Sequence, residues 1–214
     1  MRLRGADCRV YLVTDQALCL GRAVRDVVLA AVAAGCGLVQ LREKQADTRE
    51  FVELARALAP EVAARGALLV VNDRVDVALA AGAHGAHVGQ SDMDWADARA
   101  LLGPDAVLGL SVEDMAQARA AEDADVDYLG VSPIHPTPTK PDTIGAWGLE
   151  GLAGLRKASR HRLVAIGGIH AGNARAVVRA GADSLAVVSA ICSAPDPGAS
   201  VQQLLRAFGP DAAV

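Results

Sequence analysis

Eight short apolar segments alternate with longer Ala-rich ones, and this alternation most constrains what the chain can fold into. The short segments are Cys8–Thr14, Leu38–Arg42, Ala67–Val71, Ala86–Val88, Val107–Leu110, Tyr128–Val131, Leu163–Ile166 and Ser184–Val188. Each is bounded by Gly, Asp or Asn, as strands buried on both faces of a parallel sheet should be. Helical patterns fill the intervals, at about Gly21–Ala34, Thr48–Arg65, Val75–Ala81, Trp95–Leu102, Val112–Ala121, Leu149–Ala158, Asn173–Ala180 and Ala199–Phe208. Ala34-Gly35, Ala81-Gly82 and Ala180-Gly181 place glycine where a helix stops, and Asp47-Thr48 ahead of Phe51 places a cap where one starts.

Eight strand-helix units in 214 residues are about 27 residues each, which predicts an α/β fold: one compact, single-domain (β/α)8 TIM barrel over residues 1–214. A doubly wound sheet would need a G-x-G-x-x-G turn after the first strand, and Val13-Thr14-Asp15-Gln16 has none. The longest connection, Ser132 to Gly148, carries Pro133, Pro136, Pro138 and Pro141, so it is neither helix nor strand. Long loops in compact chains usually carry function.

Composition removes several classes of partner. A net charge of -4 and 3% aromatic residues offer neither a basic patch nor stacking platforms for nucleic acid. The longest apolar stretch, Val27 to Val39, is broken by Gly35 and Gly37 and falls short of the ~18 residues of a membrane span. Arg2 and Arg4 are followed by no apolar targeting segment, and Cys8, Cys19, Cys36 and Cys192 form no C-x-x-C pair. The expectation is a cytoplasmic protein with reduced thiols.

Catalytic groups of a parallel barrel come from the C-terminal ends of its strands and the loops beyond them. In Gln40-Leu41-Arg42-Glu43-Lys44, the strand period puts Gln40, Arg42 and Lys44 on one face and Leu41 and Glu43 on the other. Two cations and an amide then point into the mouth of the barrel, with nothing nearby in sequence to neutralise them. They suit an anionic ligand better than a solvated strand end. Asp73 and Asp92 end neighbouring strands, and either cap helices or hold a hard cation such as Mg2+; the adjacent cations favour the metal. Gly167-Gly168 after strand seven and Ser189 after strand eight stand where barrels often bind phosphate. His84 and His87 lack the H-E-x-x-H pattern and read as structural, while His135 lies in the Pro-rich loop.

These segments resemble one family. Tyr11-Leu12-Val13-Thr14-Asp15, Gln40-Leu41-Arg42-Glu43-Lys44, Asn72-Asp73-Arg74-Val75-Asp76, His87-Val88-Gly89-Gln90-Ser91-Asp92, Pro136-Thr137-Pro138-Thr139-Lys140 and Ala165-Ile166-Gly167-Gly168-Ile169 together resemble the thiamine-phosphate synthases, in order and over essentially the whole chain. The resemblance implies a transferase that joins hydroxymethylpyrimidine diphosphate to a thiazole phosphate, releasing pyrophosphate, with Mg2+. It implies pyrimidine diphosphate contacts from Gln40, Leu41, Arg42, Glu43, Lys44, Asn72, Ser111 and Lys140. Thr137, Pro138, Thr139, Gly168, Val188 and Ser189 would hold the thiazole phosphate, and Asp73 and Asp92 the Mg2+. Ser111, Lys140, Arg42 and Lys44 would carry the catalysis. His135 departs from the family pattern, where an aromatic residue is usual before Pro136. A thiazole isomerase and a non-catalytic sensor of phosphate ligands are the competing readings on the same barrel. A homo-oligomer is compatible with the sequence, which does not fix the oligomeric state.

Overall fold

The computed structural model describes residues 2–3, 5–136 and 145–209. The strands β1 (Val10–Val13), β2 (Leu38–Leu41), β3 (Leu68–Asn72), β4 (Gly85–Val88), β5 (Val107–Val112), β6 (Tyr128–Val131), β7 (Arg162–Ile166) and β8 (Ser184–Val187) pair in parallel in sequence order. β8 returns to β1, with Tyr11 opposite Ala186, so the sheet closes into a barrel without edges. The helices are α1 (Val24–Ala33), α2 (Thr48–Ala63), α3 (Val75–Ala81), α4 (Trp95–Leu102), α5 (Met115–Ala120), α6 (Gly148–Ala158), α7 (Ala174–Arg179), α8 (Ser189–Cys192) and α9 (Pro197–Leu205). This is the (β/α)8 architecture that the alternation predicts.

Alternation along each strand sorts the apolar residues into two cores. Tyr11, Leu38, Val70, Val107, Tyr128, Val164 and Ala186 point into the barrel, where Leu3 and Cys8 join them from the N-terminal segment. Val39, Leu69, Leu108, Leu129, Leu163 and Leu185 point outward against the helices, where they meet Val28, Phe51, Leu58 and Leu152. Burying each of these leucines contributes about 1.5–3 kcal/mol. Aspartates start four helices: Asp47, Asp94, Asp114 and Asp196 each accept a hydrogen bond from a first-turn N–H at 2.8–2.9 Å. Gly35, Gly82 and Gly181 sit beyond helix ends with φ of 101°, 67° and 113°, as their place after the Ala-rich segments predicts.

Several elements differ from the sequence reading. Val112 ends β5 and does not begin a helix, because the Asp114 cap sets the start of α5 at Met115. A 3-10 turn at Gln16–Cys19 and the four-residue α8 were not foreseen, being too short to display a period. The Pro-rich connection is pinned at both ends. Trp147 N–H donates to the Pro133 carbonyl at 2.8 Å and Gly148 N–H to the Ile134 carbonyl at 3.0 Å. Residues 137–144, with Thr137, Pro138, Thr139 and Lys140, lie outside the described residues.

Candidate active site

The C-terminal rim of the barrel opens into a cavity of about 920 Å3. Gln40, the last inward residue of β2, is 5% exposed and reaches into it from below. Arg42 and Lys44 follow beyond the end of β2 and also line it. Arg42 is held in place twice: its backbone N–H donates to the Thr14 hydroxyl at 2.9 Å, and its guanidinium pairs with Asp15 at 3.1 Å. The cation is therefore partly neutralised by a residue that is remote in sequence and follows β1.

Leu41 and Glu43 are not among the residues that line the cavity. The strand period explains this, since they occupy the face opposite Gln40 and Arg42. Leu41 is fully buried in the outer core. Glu43 has an Oε1 buried without a hydrogen-bond partner among the described residues, and desolvation and the neighbouring Asp15 push its carboxyl above the usual range.

Asn72 ends β3 and faces the cavity, and Asp73 follows with φ of 60°. A non-glycine residue in the left-handed region is uncommon and marks a site held by its surroundings. Here Asp73 N–H donates to the His87 carbonyl at 2.8 Å, which fixes the turn. Asp73 and Asp92 both line the cavity. Burial first, and then Asp92, push Asp73 up to about 6, while Lys44 and Arg42 pull it down. Neither carboxylate caps a helix: the residue ahead of α3 is Arg74, and α4 is capped by Asp94. Asp92 does accept from Gly89 N–H at 2.8 Å, which leaves its other oxygen available.

On the far side of the cavity, Gly167 and Gly168 adopt φ of 105° and 63° and Val188 and Ser189 follow β8. The glycines serve packing as well as any ligand. A Cβ on Gly167 would meet Pro133 at 2.7 Å and one on Gly168 would meet His135 at 2.8 Å. Ser111, inward on β5, closes the ring of candidates. His135 does not line the cavity, and its Nε2 is buried without a partner among the described residues.

Tyr11 and Tyr128, to which the sequence reading gave no role of their own, also line the cavity, as does His87. His87, read as structural, is hydrogen-bonded to Ser111 at 2.8 Å. Strand parity could have found it: within Gly85–Val88 it alternates with outward Ala86 and Val88. His84, by contrast, is structural, accepting the Leu69 N–H at 3.0 Å through Nδ1.

A closed barrel that gathers two cations, a carboxylate pair and a glycine turn on its C-terminal rim has the layout of a barrel enzyme's active site. The profile of the family described as thiamine monophosphate synthase matches residues 10–191. A thiamine-phosphate synthase of Albidiferax ferrireducens is 58% identical over 189 residues, covering 88% of this chain and 86% of its own. One from Azorhizobium caulinodans is 50% identical over 190 residues, 89% of this chain and 90% of its own. The solved thiamine phosphate pyrophosphorylase of Pyrococcus furiosus superposes with a TM-score of 0.85 at 35% identity, over 94% of this chain and 95% of that one. The chain belongs to the thiamine monophosphate synthase family, and it is a transferase of thiamine biosynthesis. Among the described residues no helix is long and apolar enough to cross a membrane.

Proposed function

We propose that the whole chain is one catalytic domain that joins 4-amino-2-methyl-5-hydroxymethylpyrimidine diphosphate to 4-methyl-5-(2-hydroxyethyl)thiazole phosphate, giving thiamine phosphate and pyrophosphate. The observation that carries this reading is the juxtaposition of Arg42 and Lys44 with the Asp73–Asp92 pair on one rim of the cavity. Two close carboxylates beside two cations suit Mg2+, which takes one or two carboxylates and completes its shell with waters and substrate phosphates. The absence, among the described residues, of a cluster of three or more acidic, His or Cys ligands fits such a shared site better than an all-protein cage. Bound there, Mg2+ would neutralise charge on the diphosphate.

The remaining work falls to the chain. Arg42, Lys44 and Lys140 bind the diphosphate, and Gln40, Asn72 and Ser111 orient the pyrimidine. Thr137, Pro138, Thr139, Gly168, Val188 and Ser189 hold the thiazole phosphate. The bond between the methylene carbon and the diphosphate oxygen breaks, and its electron pair leaves with pyrophosphate. The pyrimidine amino group donates into the electron-poor methylene, which favours a dissociative path. The thiazole nitrogen supplies its lone pair to the new C–N bond and has no proton to lose. No residue need act as a general base, so the chain acts by positioning and by stabilising the leaving group.

The names of the relatives support synthesis over isomerisation of a thiazole. Four unpaired, buried cysteines support a reducing, cytoplasmic setting. The test is to mix both substrates with Mg2+ and look for thiamine phosphate. Its absence with folded protein refutes the reading.

A further inference from the structure

The helix that carries Ser189 is held from behind by a residue with no ligand role above. α8 (Ser189–Cys192) is a single turn, and a helix this short has no stability of its own. Val188 and Ser189 line the cavity at its start, while Ile191 and Cys192 are buried in the outer core. The carbonyls at its far end have no partner within the helix and need donors from outside. Arg22, in the connection between β1 and α1, supplies one there and another just beyond. Its Nη2 donates to the Cys192 carbonyl at 2.7 Å and its Nη1 to the Ala194 carbonyl at 2.8 Å.

The same guanidinium also holds the 3-10 turn at Gln16–Cys19. Its Nε donates to the Cys19 carbonyl at 3.1 Å, and the Arg22 backbone N–H donates to that carbonyl at 3.1 Å as well. One planar fork thus joins two elements from opposite ends of the chain. Ser193 Oγ makes a second tie across the same junction, donating to the Leu18 carbonyl at 3.0 Å. The start of the turn is fixed by Asp15, whose Oδ1 accepts the Ala17 and Leu18 N–H groups at 3.1 and 3.3 Å. Asp15 follows β1 directly, so the turn is anchored to the barrel, and Arg22 anchors α8 to the turn.

These contacts suit arginine. They end on carbonyl oxygens of two elements, and a planar group with several N–H donors in fixed directions reaches both. A lysine ammonium would keep the favourable charge at the helix C-terminus without the fork. Loss of the fork frees one end of a single turn whose other end meets the cavity. Binding groups must be held within about 0.5 Å of their working positions, so a shift at Cys192 is felt at Ser189.

We propose that Arg22 is a positioning residue that sets where α8 presents Val188 and Ser189, and through them the affinity for the thiazole phosphate. This rests on the substrate placement proposed above. The experiment has two arms. Amide hydrogen exchange without substrate compares the wild type with Arg22→Gln. Faster exchange over residues 188–194, with the strands unchanged, is expected; equal exchange in that segment overturns the proposal. This arm needs no substrate, so failure of the brace is told apart from failure of the synthase reading. The second arm is steady-state kinetics with each substrate varied in turn. Arg22→Gln should raise KM for the thiazole phosphate by about tenfold, the scale of one hydrogen bond, and leave KM for the pyrimidine diphosphate within about twofold. Arg22→Lys should raise the thiazole phosphate KM in the same direction by a smaller factor, and a Lys variant with the wild-type KM would leave charge alone as the cause and overturn the positioning role. Equal changes in both KM values, or a lower Tm with neither KM changed, would mean a structural role only and would also overturn it. If Arg22→Gln fails to fold, Ser193→Ala, which removes only the tie to Leu18, decides: it should move the same segment and the same KM, and wild-type values of both would overturn the proposal.

Discussion

Replacing Asp73 by Asn is expected to stabilise the metal-free protein while removing its Mg2+-dependent turnover. Without a cation, the folded state must hold two carboxyl groups side by side, and burial and Asp92 raise Asp73 from 3.8 to about 6. A shift of this size corresponds to at most about 3 kcal/mol at ~1.36 kcal/mol per unit. Asp73 is only half-buried, so solvent screening reduces the burden to about 1 kcal/mol. Asn keeps the shape, loses the charge and tolerates the left-handed backbone. For a chain of this length, about 1 kcal/mol is about 2–4 °C in Tm. The assay is thermal unfolding in EDTA at pH 7.5 beside a synthesis assay with Mg2+. The sign with pH follows from linkage: the folded carboxyl binds a proton more tightly than the unfolded one, so the wild type gains stability as pH falls through about 6 towards 3.8. The advantage of Asp73→Asn should therefore shrink over that window and be absent below it. Adding Mg2+ at about ten times its Kd should stabilise the wild type by about 1.4 kcal/mol and leave the variant unmoved. A variant that melts at or below the wild-type temperature in EDTA at pH 7.5 refutes the reasoning, because the carboxylate pair would then impose no cost on the fold.

Lys140→Ala should lower kcat and kcat/KM together by roughly 10²–10³, as loss of one donor to a developing anion does. Lys140→Arg should recover part of that, and an Arg variant as inactive as the Ala variant would rule out simple charge stabilisation. Gly168→Ala places a Cβ 2.8 Å from His135 at a φ of 63°, so it should raise KM for the thiazole phosphate and lower Tm by a few degrees; unchanged values of both would contradict the geometry. Asp15→Asn should weaken the hold on Arg42 and raise KM for the pyrimidine diphosphate, with the thiazole phosphate KM unaffected. Steady-state kinetics with each substrate varied in turn reads that difference.

The barrel was legible because its strands and helices carry opposite periods, so Val39 and Leu69 on one side and Leu38 and Val70 on the other could be sorted by counting. The rim was legible for the same reason, as Gln40, Arg42 and Lys44 share a parity. That parity also argued against Leu41 and Glu43, which came from the matched motif and not from their own direction. His87 escaped because its strand was read as starting at Ala86, leaving three residues, too few to set a face. Tyr11 and Tyr128 are buried within strands, and parity alone does not carry that their hydroxyls meet across the barrel. Gly109 and Gly130 were the available signal, since each gives up a side chain inside a strand. The pairing of Asp15 with Arg42 joins residues 27 apart in sequence and required the closed sheet.

The strap that ties Trp147 and Gly148 to Pro133 and Ile134 bears on how such a barrel diversifies. Main-chain bonds fix both ends of the Pro-rich segment, so the barrel does not depend on how many residues run between them. Doubling a loop costs only about 0.6 kcal/mol in closure entropy. The barrel thus constrains the two ends of the Pro-rich segment and not the number of residues between them.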